Sequence, residues 1–270
     1  MKLLPIILLC CLYSVSYAGK GLRPADDSLQ YYRSFDGTRI HYTIKGKGEP
    51  VLLVHGFIVD GRSWEQTSLY QQLLEKGFQV ITLDLRGNGA SDHPHDSLAY
   101  MNDAEAKDIM GLVTYLKLPE YRVVGYSRGS IIVARLLVLD NRIRSAVMGG
   151  MGTAFTDPNW PRRQQFYEAL AGKQVPELAE MVKYVQQSGL DQRALCLMQF
   201  AQPSTSPEEL GKVTKPVLVL GGDRDPDNDT GGSLAAMMPA GMHGTVTGDH
   251  NSVVKTRKFA DWVVNFLKDH

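Results

Sequence analysis

Apolar, strand-like runs alternate with amphipathic helical segments from residue 50 onward, and this alternation restricts the possible fold more than any other feature. The run at 50–55 is continuously apolar, as expected of a strand that is buried on both faces of a parallel sheet. Further strands are predicted at 78–83, 121–126, 143–148, 216–220 and 244–246, and helices at 64–76, 104–116, 128–139, 233–238 and 253–268. Such an alternation is typical of a parallel sheet covered by helices on both faces.

Two segments depart from this alternation. Residues 31–35 and 38–44 alternate in polarity on either side of a turn, so they are predicted to add an antiparallel pair and to bring the sheet to eight strands. Residues 152–213 have no strand signal and contain helical patches at 162–170, 177–187 and 191–202. We interpret this segment as a helical cap inserted above the carboxyl edge of the sheet, where open α/β sheets bind ligands.

Apolar and aromatic side chains in this cap could line a ligand pocket. They are Phe155, Trp160, Phe166, Tyr167 and Met181. Each of them could equally serve only to pack the cap onto the body, since large apolar side chains are mostly buried.

The charge balance excludes one broad class of partner. The chain has 29 basic and 29 acidic residues, so its formal net charge at pH 7 is zero and no overall field attracts nucleic acid or an anionic membrane. With 270 residues, the chain can bury a sizeable core without disulfides. Cys196 is the one cysteine beyond the N-terminal apolar run, and its apolar neighbours predict a buried structural thiol.

The N-terminus has the pattern of a secretory signal peptide. A cationic start precedes a nearly apolar run at 3–13, and small residues follow at Ser16 and Ala18. Cleavage after Ala18 would remove residues 1–18 and leave one domain at 19–270. The apolar run is too short to span a bilayer, so we expect a secreted or periplasmic protein without stable membrane insertion after cleavage.

A candidate nucleophile lies between a predicted strand and a predicted helix. Gly125-Tyr-Ser-Arg-Gly129 matches the pattern G-x-S-x-G and joins the strand at 121–126 to the helix that begins at Arg128. In this context Ser127 is expected on a strained turn, with glycines on both sides that allow the strand and the helix to approach closely. The N–H groups at the start of the helix would face developing negative charge.

With three further motifs, the chain resembles the α/β-hydrolase fold family, and in particular its esterase-like group with a short helical cap. The resemblance covers about residues 30–268. One motif is the G-x-S-x-G turn at 125–129, which we call the elbow. The others are Val54-His-Gly-Phe57, Asp84-Leu-Arg-Gly-Asn-Gly-Ala-Ser-Asp92, and the pair Gly222-Asp-Arg-Asp225 and Gly248-Asp-His250. It implies a mostly parallel eight-stranded sheet with helices on both faces and an inserted helical cap.

A serine nucleophile needs a general base, and the base needs an acid that orients it. In this fold the order along the chain is serine, acid, histidine. Three histidines follow the elbow: His243 is predicted to begin a strand, His270 is the last residue, and His250 lies in the loop before the final helix. His250 is therefore the candidate base, in agreement with the position that the resemblance implies.

Several carboxylates could be the acid. Asp223, Asp225, Asp227 and Asp229 all follow the strand at 216–220. The spacing in the family selects Asp225, and Asp223 is the alternative.

The oxyanion hole is expected to use two backbone N–H groups, one from Arg128, which follows the nucleophile, and one from Phe57 in the loop after the strand at 50–55. The side chain of Arg128 could bind a substrate carboxylate or pair with an acidic residue of the cap. We favour the structural pairing.

No cofactor or metal is expected. The aspartates at 223–229 resemble a calcium loop, but Asn228 and Leu234 stand where that loop needs Gly and Glu. Gly87-Asn-Gly89 follows a strand without the remainder of a dinucleotide fingerprint.

Together, the triad and the resemblance imply a serine hydrolase that cleaves carboxylic esters of small molecules through an acyl-enzyme. A serine at the elbow, in place of the aspartate that the resemblance implies for epoxide hydrolases and dehalogenases, argues against those activities. Other acyl or C–C bond chemistry on the same triad stays open, including acyl transfer, lactonase and peptidase activity, as does a non-catalytic binding protein.

Overall fold

A mixed eight-stranded sheet forms the centre of the fold, which confirms the predicted α/β-hydrolase architecture. The structure is a computed structural model and describes residues 30–270, so the predicted signal peptide at 1–18 lies outside the described residues and stays a prediction. The strands are β1 (Gln30–Arg33), β2 (Arg39–Lys45), β3 (Pro50–Val54), β4 (Gln79–Leu83), β5 (Tyr121–Tyr126), β6 (Ile143–Gly149), β7 (Val217–Gly222) and β8 (Gly241–Val246).

The strands lie in the order β1-β2-β4-β3-β5-β6-β7-β8. β2 pairs antiparallel with both β1 and β4, and every other pair is parallel. Along β3, Leu52 and Val54 face one apolar cluster, whereas Val51 and Leu53 face a second cluster on the opposite side of the sheet. Burial on both faces explains why this strand has a continuous apolar sequence.

Helices cover both faces of the sheet. They are α1 (Ser68–Glu75), α2 (Ala104–Tyr115), α3 (Arg128–Leu139), α4 (Pro161–Leu170), α5 (Ala179–Gln187), α6 (Gln192–Phe200), α7 (Pro207–Leu210), α8 (Gly231–Ala236) and α9 (Arg257–Asp269). Short 3-10 turns occupy Gly61–Trp64, Ser97–Tyr100, Thr153–Thr156, Pro176–Leu178, Pro226–Asn228 and Val253–Lys255. The apolar sides of α2, α3 and α8 share one core cluster with the sheet, and those of α1 and α9 share the other.

Side-chain caps move two helix starts away from the predicted positions. The helix predicted from residue 64 begins at Ser68, because the hydroxyl of Thr67 accepts a hydrogen bond from the N–H of Tyr70 at 3.2 Å. The last helix begins at Arg257 rather than 253, because Thr256 caps it through the N–H of Phe259 at 3.2 Å. Such caps satisfy backbone donors that the first turn of a helix leaves unpaired.

The last strand is longer than the sequence pattern predicts. β8 begins at Gly241 and pairs with β7 from Val217 opposite Gly241 to Gly222 opposite Val246. It is the edge strand, and its first residues are largely exposed, so the apolar pattern that marks a strand is missing there. His243 therefore lies within the strand rather than at its start.

The segment between β6 and β7 folds as helices α4 to α7, and the described chain forms no strand there. Within it, α4 packs against α6, and an apolar cluster joins Leu170, Val185 and Leu195 to Tyr100 of the body. We call this segment the cap. The ring of Phe166 on α4 contacts Phe57 edge to face, at 5.6 Å between ring centroids, so the cap covers the loop that follows β3. Among residues 30–270, the helices are too short or too polar to cross a membrane.

Candidate active site

Ser127 lies on a strained turn between β5 and α3. Its backbone has φ 53° and ψ −125°, a conformation that costs a non-glycine residue about 1–3 kcal/mol. Hydrogen bonds from the end of β6 hold the turn, since the carbonyl of Gly149 accepts from the N–H of Ser127 at 2.8 Å and from the hydroxyl of Ser130 at 2.8 Å. The strain is therefore supported by the neighbouring strand.

The two glycines of the elbow are required by close backbone contacts. A Cβ atom at Gly125 would lie 2.5 Å from the carbonyl oxygen of Gly129, and one at Gly129 would lie 2.3 Å from the carbonyl oxygen of Val54. Both distances are far below van der Waals contact. Only glycine at both positions lets α3 start directly beside β3 and β5.

The structure brings the three predicted triad residues together. His250 Nε2 lies 2.9 Å from Ser127 Oγ, and His250 Nδ1 lies 2.9 and 3.0 Å from the two carboxylate oxygens of Asp225. The Asp225 side chain is fully buried. An ionised carboxylate only accepts hydrogen bonds, so the imidazole proton resides on Nδ1 and Nε2 is left to accept the serine proton.

Neighbouring hydrogen bonds position the loop that carries His250, and they distinguish the roles of the two candidate acids, Asp223 and Asp225. The hydroxyl of Tyr126 donates to the carbonyl of His250 at 2.6 Å, and burial raises the pKa of this phenol, which keeps the donor protonated. Asp223, the alternative acid, instead accepts from the N–H of Gly248 at 2.9 Å. Asp223 thus holds the loop that carries the histidine, whereas Asp225 contacts the imidazole itself.

A second carboxylate lies near the imidazole. Asp227 Oδ2 is 3.8 Å from His250 Nδ1, and the Asp227 N–H donates to Asp225 Oδ1 at 3.0 Å. Ligand atoms of these three side chains lie within 4.8 Å of one another, close enough for a cation. Asp225 joins the three residues, because its carboxylate contacts His250 Nδ1 and accepts from the N–H of Asp227, so their proximity follows from the hydrogen bonds around the triad acid.

The loop after β3 is held beside the nucleophile by His55, a residue whose role the sequence analysis missed. Its Nε2 accepts from the N–H of Leu85 at 3.0 Å, and its Nδ1 donates to the carbonyl of Gly56 at 2.8 Å. Burial lowers the pKa of His55, in keeping with a neutral ring. A Cβ atom at Gly56 would lie 3.4 Å from the Cβ of Ser127, so this loop passes in contact with the nucleophile.

The Arg128 side chain forms a buried ion pair, in line with the structural pairing expected from the sequence. Its acidic partner, however, lies on the body and not on the cap. The two terminal nitrogens of Arg128 donate to the two carboxylate oxygens of Glu105, at 2.8 and 2.5 Å, and both side chains are about 95% buried. Glu105 lies in the first turn of α2, a body helix that packs against α3. The one hydrogen bond of the guanidinium to the cap, within residues 30–270, is from Nη2 to the carbonyl of Met198, at 3.4 Å.

Replacement of Glu105 by glutamine is expected to destabilise the fold by about 3–5 kcal/mol, because the Arg128 charge would stay buried without a counter-charge. Urea unfolding measures the loss. The control is Glu208→Gln, which removes an exposed ion pair with Lys212 and should have no measurable effect. The double variant Glu105→Leu, Arg128→Met should recover most of the stability, and a loss in Glu105→Gln no larger than in the control would contradict the expectation.

A cavity of about 750 Å³ opens above the triad. Of the five cap residues considered above, Trp160, Phe166 and Met181 line it. Phe155 instead lies in the apolar core beside the sheet. The ring of Tyr167 packs against that of Phe200, with 5.5 Å between the ring centroids. Cys196 is partly buried, and its thiol donates to the carbonyl of Tyr167. Further apolar lining comes from the body and includes Phe57, Ile58, Val59, Trp64, Ile131 and Val254.

Comparisons with known proteins place the chain among hydrolases of this fold. A non-heme haloperoxidase of Rhodococcus erythropolis is 33% identical over 127 residues, which are 45% of this chain and 44% of that protein. The chain spans about two fifths of the length of the first curated relatives it matches.

Solved structures resemble the chain over most of its length. A bromoperoxidase from Bacillus anthracis has a TM-score of 0.71 at 25% identity, covering 89% of this chain and 100% of that one. An esterase from Exiguobacterium antarcticum has a TM-score of 0.73 at 22% identity, covering 88% and 98%, and at this identity it shows the fold alone. The sequence model of the alpha/beta hydrolase family matches residues 51–262. The chain therefore belongs to the alpha/beta hydrolase family.

Proposed function

We propose that this protein is a serine hydrolase that cleaves carboxylic esters of small molecules through an acyl-enzyme. The observation that carries the proposal is the continuous hydrogen-bonded line from Ser127 Oγ through the imidazole of His250 to buried Asp225, beneath a largely apolar cavity. This line can remove the hydroxyl proton as the oxygen attacks and can stabilise the imidazolium that results. The cavity provides room for a small apolar ester.

The first half of the reaction would transfer the acyl group to the enzyme. Ser127 Oγ attacks the ester carbonyl carbon while its proton moves to His250 Nε2. The carbonyl oxygen becomes an oxyanion that accepts hydrogen bonds from the N–H groups of Phe57 and Arg128. Within residues 30–270 neither of these N–H groups has a protein acceptor, which supports this role. His250 then returns the proton to the leaving alkoxide, and the alcohol departs.

The second half would release the acid. His250 Nε2 accepts a proton from water, and the resulting oxygen attacks the acyl carbon of the ester on Ser127. The tetrahedral intermediate collapses, the proton passes to Ser127 Oγ, and the carboxylic acid leaves. Each donor of an oxyanion hole typically lowers the barrier by about 3–4 kcal/mol.

A second candidate is transfer of the acyl group to hydrogen peroxide, because some of the relatives are named haloperoxidases. Peroxide would take the place of water, attack the acyl-enzyme and release a peroxycarboxylic acid and free Ser127. The O–O bond of the peroxycarboxylic acid would then break as its outer oxygen passes to a halide ion, which gives hypohalous acid and the carboxylate. Epoxide hydrolases are also among the relatives. The resemblance implies an aspartate nucleophile for their chemistry, and here the elbow residue is a serine.

Treatment with a fluorophosphonate probe is expected to label the folded protein on Ser127, because the probe phosphorylates a serine that a neighbouring base activates. Mass spectrometry of the digested protein locates the adduct, and a panel of p-nitrophenyl esters of increasing acyl length measures turnover. Product analysis with and without added peroxide separates hydrolysis from acyl transfer. A folded protein that stays unlabelled and hydrolyses no ester would refute the enzymatic proposal and favour a binding protein.

A further inference from the structure

Two largely buried glutamines lie on the cap wall of the active-site cavity. Gln199 of α6 and Gln202, which follows that helix, are each 5% exposed, and both line the cavity. In the described part of the chain neither side-chain amide forms a hydrogen bond with the protein. Although the two residues are largely buried, their amide atoms still reach the open space of the cavity, so these donors and acceptors are available to a polar occupant.

Arg163 of α4 lies on the same wall. Its Nη1 donates to the backbone carbonyl of Gln202 at 3.2 Å, which holds the guanidinium beside the backbone at the end of α6, and Arg163 lines the same cavity as the two glutamines. Among residues 30–270 it has no other hydrogen bond and no acidic partner. Most of its N–H groups are therefore left for a ligand, and a guanidinium presents them in the planar arrangement that matches a carboxylate.

The charges around the cavity favour a negatively charged ligand. The charge of Arg128 is neutralised by Glu105. Arg162 Nη2 lies 3.4 Å from Oδ2 of Asp227, the acidic residue of the lining. The charge of Arg163 has no such compensation within the described residues. An uncompensated cation in a recessed apolar site raises the local concentration of anions.

We propose that Arg163, Gln199 and Gln202 form a subsite for a carboxylate, so that the preferred substrate is an ester that also carries a carboxylate group away from the scissile bond. This inference rests on the proposed function. The guanidinium would bind the carboxylate oxygens, and the amide NH₂ groups would donate to the same oxygens. The apolar lining between this wall and Ser127 would hold the chain or ring that joins the two ends of the substrate.

Two matched pairs of esters test the proposal. In the first the charge is on the acyl part (p-nitrophenyl hemiglutarate against p-nitrophenyl valerate), and in the second it is on the alcohol part (4-butyryloxybutanoate against pentyl butyrate). We expect the wild type to prefer the charged member of at least one pair by about ten-fold or more in kcat/KM. Arg163→Gln should lower kcat/KM for that member about ten-fold more than for its neutral partner. Arg163→Lys should retain part of the preference.

The matched control is Arg193→Gln, because Arg193 is an exposed arginine of α6 that donates to the carbonyl of His95 and does not line the cavity. It should keep the wild-type ratio. A wild type that prefers the neutral member of both pairs, or an Arg163→Gln variant that lowers both members equally, would overturn the subsite. Hydrolysis of both members without preference, abolished by Ser127→Ala, would refute the subsite and leave the proposed function intact.

If no ester is hydrolysed, the proposed function fails and binding decides the subsite separately. Calorimetry of the Ser127→Ala protein with monomethyl glutarate should then show saturable binding that Arg163→Gln weakens about ten-fold. Absence of binding up to about 10 mM would overturn the carboxylate subsite as well.

Discussion

Replacement of Ser127 by alanine is expected to lower kcat for a p-nitrophenyl ester by about 10⁴- to 10⁶-fold, while the protein stays folded. The variant lacks the oxygen that would form the acyl-enzyme, and His250 would have no hydroxyl proton to accept. The oxyanion donors and the cavity are unchanged, so weak residual turnover is expected. Initial rates at saturating ester measure the loss, and circular dichroism checks the fold.

The control for this variant is Ser68→Ala. Ser68 is the first residue of α1, and its hydroxyl donates to the backbone carbonyl of Lys255 at 3.2 Å. It lies outside the cavity, so we expect its loss to leave turnover near the wild-type value. Equal rates for the wild type and Ser127→Ala would rule out the proposed mechanism.

Replacement of Asp225 by asparagine is expected to lower kcat by about 10⁴-fold. Both carboxylate oxygens lie within 3.0 Å of His250 Nδ1, so in the variant an amide NH₂ can face this nitrogen. The imidazole proton would then move to Nε2, and the ring could no longer accept a proton from Ser127. The change is isosteric, and the measurement is kcat for the same ester at pH 7 to 8.

Asp223→Asn is the matched control, since it makes the same change two residues away. The Asp223 side chain accepts from the N–H of Gly248, and an asparagine oxygen can keep that hydrogen bond. We expect its effect on kcat to stay below about ten-fold. A larger loss in Asp223→Asn than in Asp225→Asn would identify Asp223 as the acid.

The sheet and the elbow could be predicted because local physical requirements leave direct traces in the sequence. Strands buried on both faces need continuous apolar runs, as in β3, and the close contact of β5 with α3 needs Gly125 and Gly129. These requirements act over a few residues. The edge strand β8 is paired on one side only, so the same requirement is weaker there and its start was not predicted.

The parts of the site that could not be predicted depend on contacts between segments that lie far apart along the chain. Arg128 could pair with any acidic residue that the fold brings near, and only the packing of α2 against α3 selects Glu105. The hydrogen bond from Tyr126 to the carbonyl of His250 joins residues 124 positions apart. The motif that contains His55 was visible, but its bond to the N–H of Leu85 depends on the turn after β4.

The route of the chain around the cap has an evolutionary consequence. β6 and β7 are paired neighbours, from Ala146 opposite Val217 to Gly149 opposite Leu220, so the cap leaves and rejoins the sheet at adjacent points. Each doubling in the length of such an insertion costs only about 0.6 kcal/mol in closure entropy, and no strand register depends on that length. Selection can therefore replace or resize the cap while the residues beneath it stay fixed. Substrate preference and reaction chemistry can then diverge at different rates within one gene.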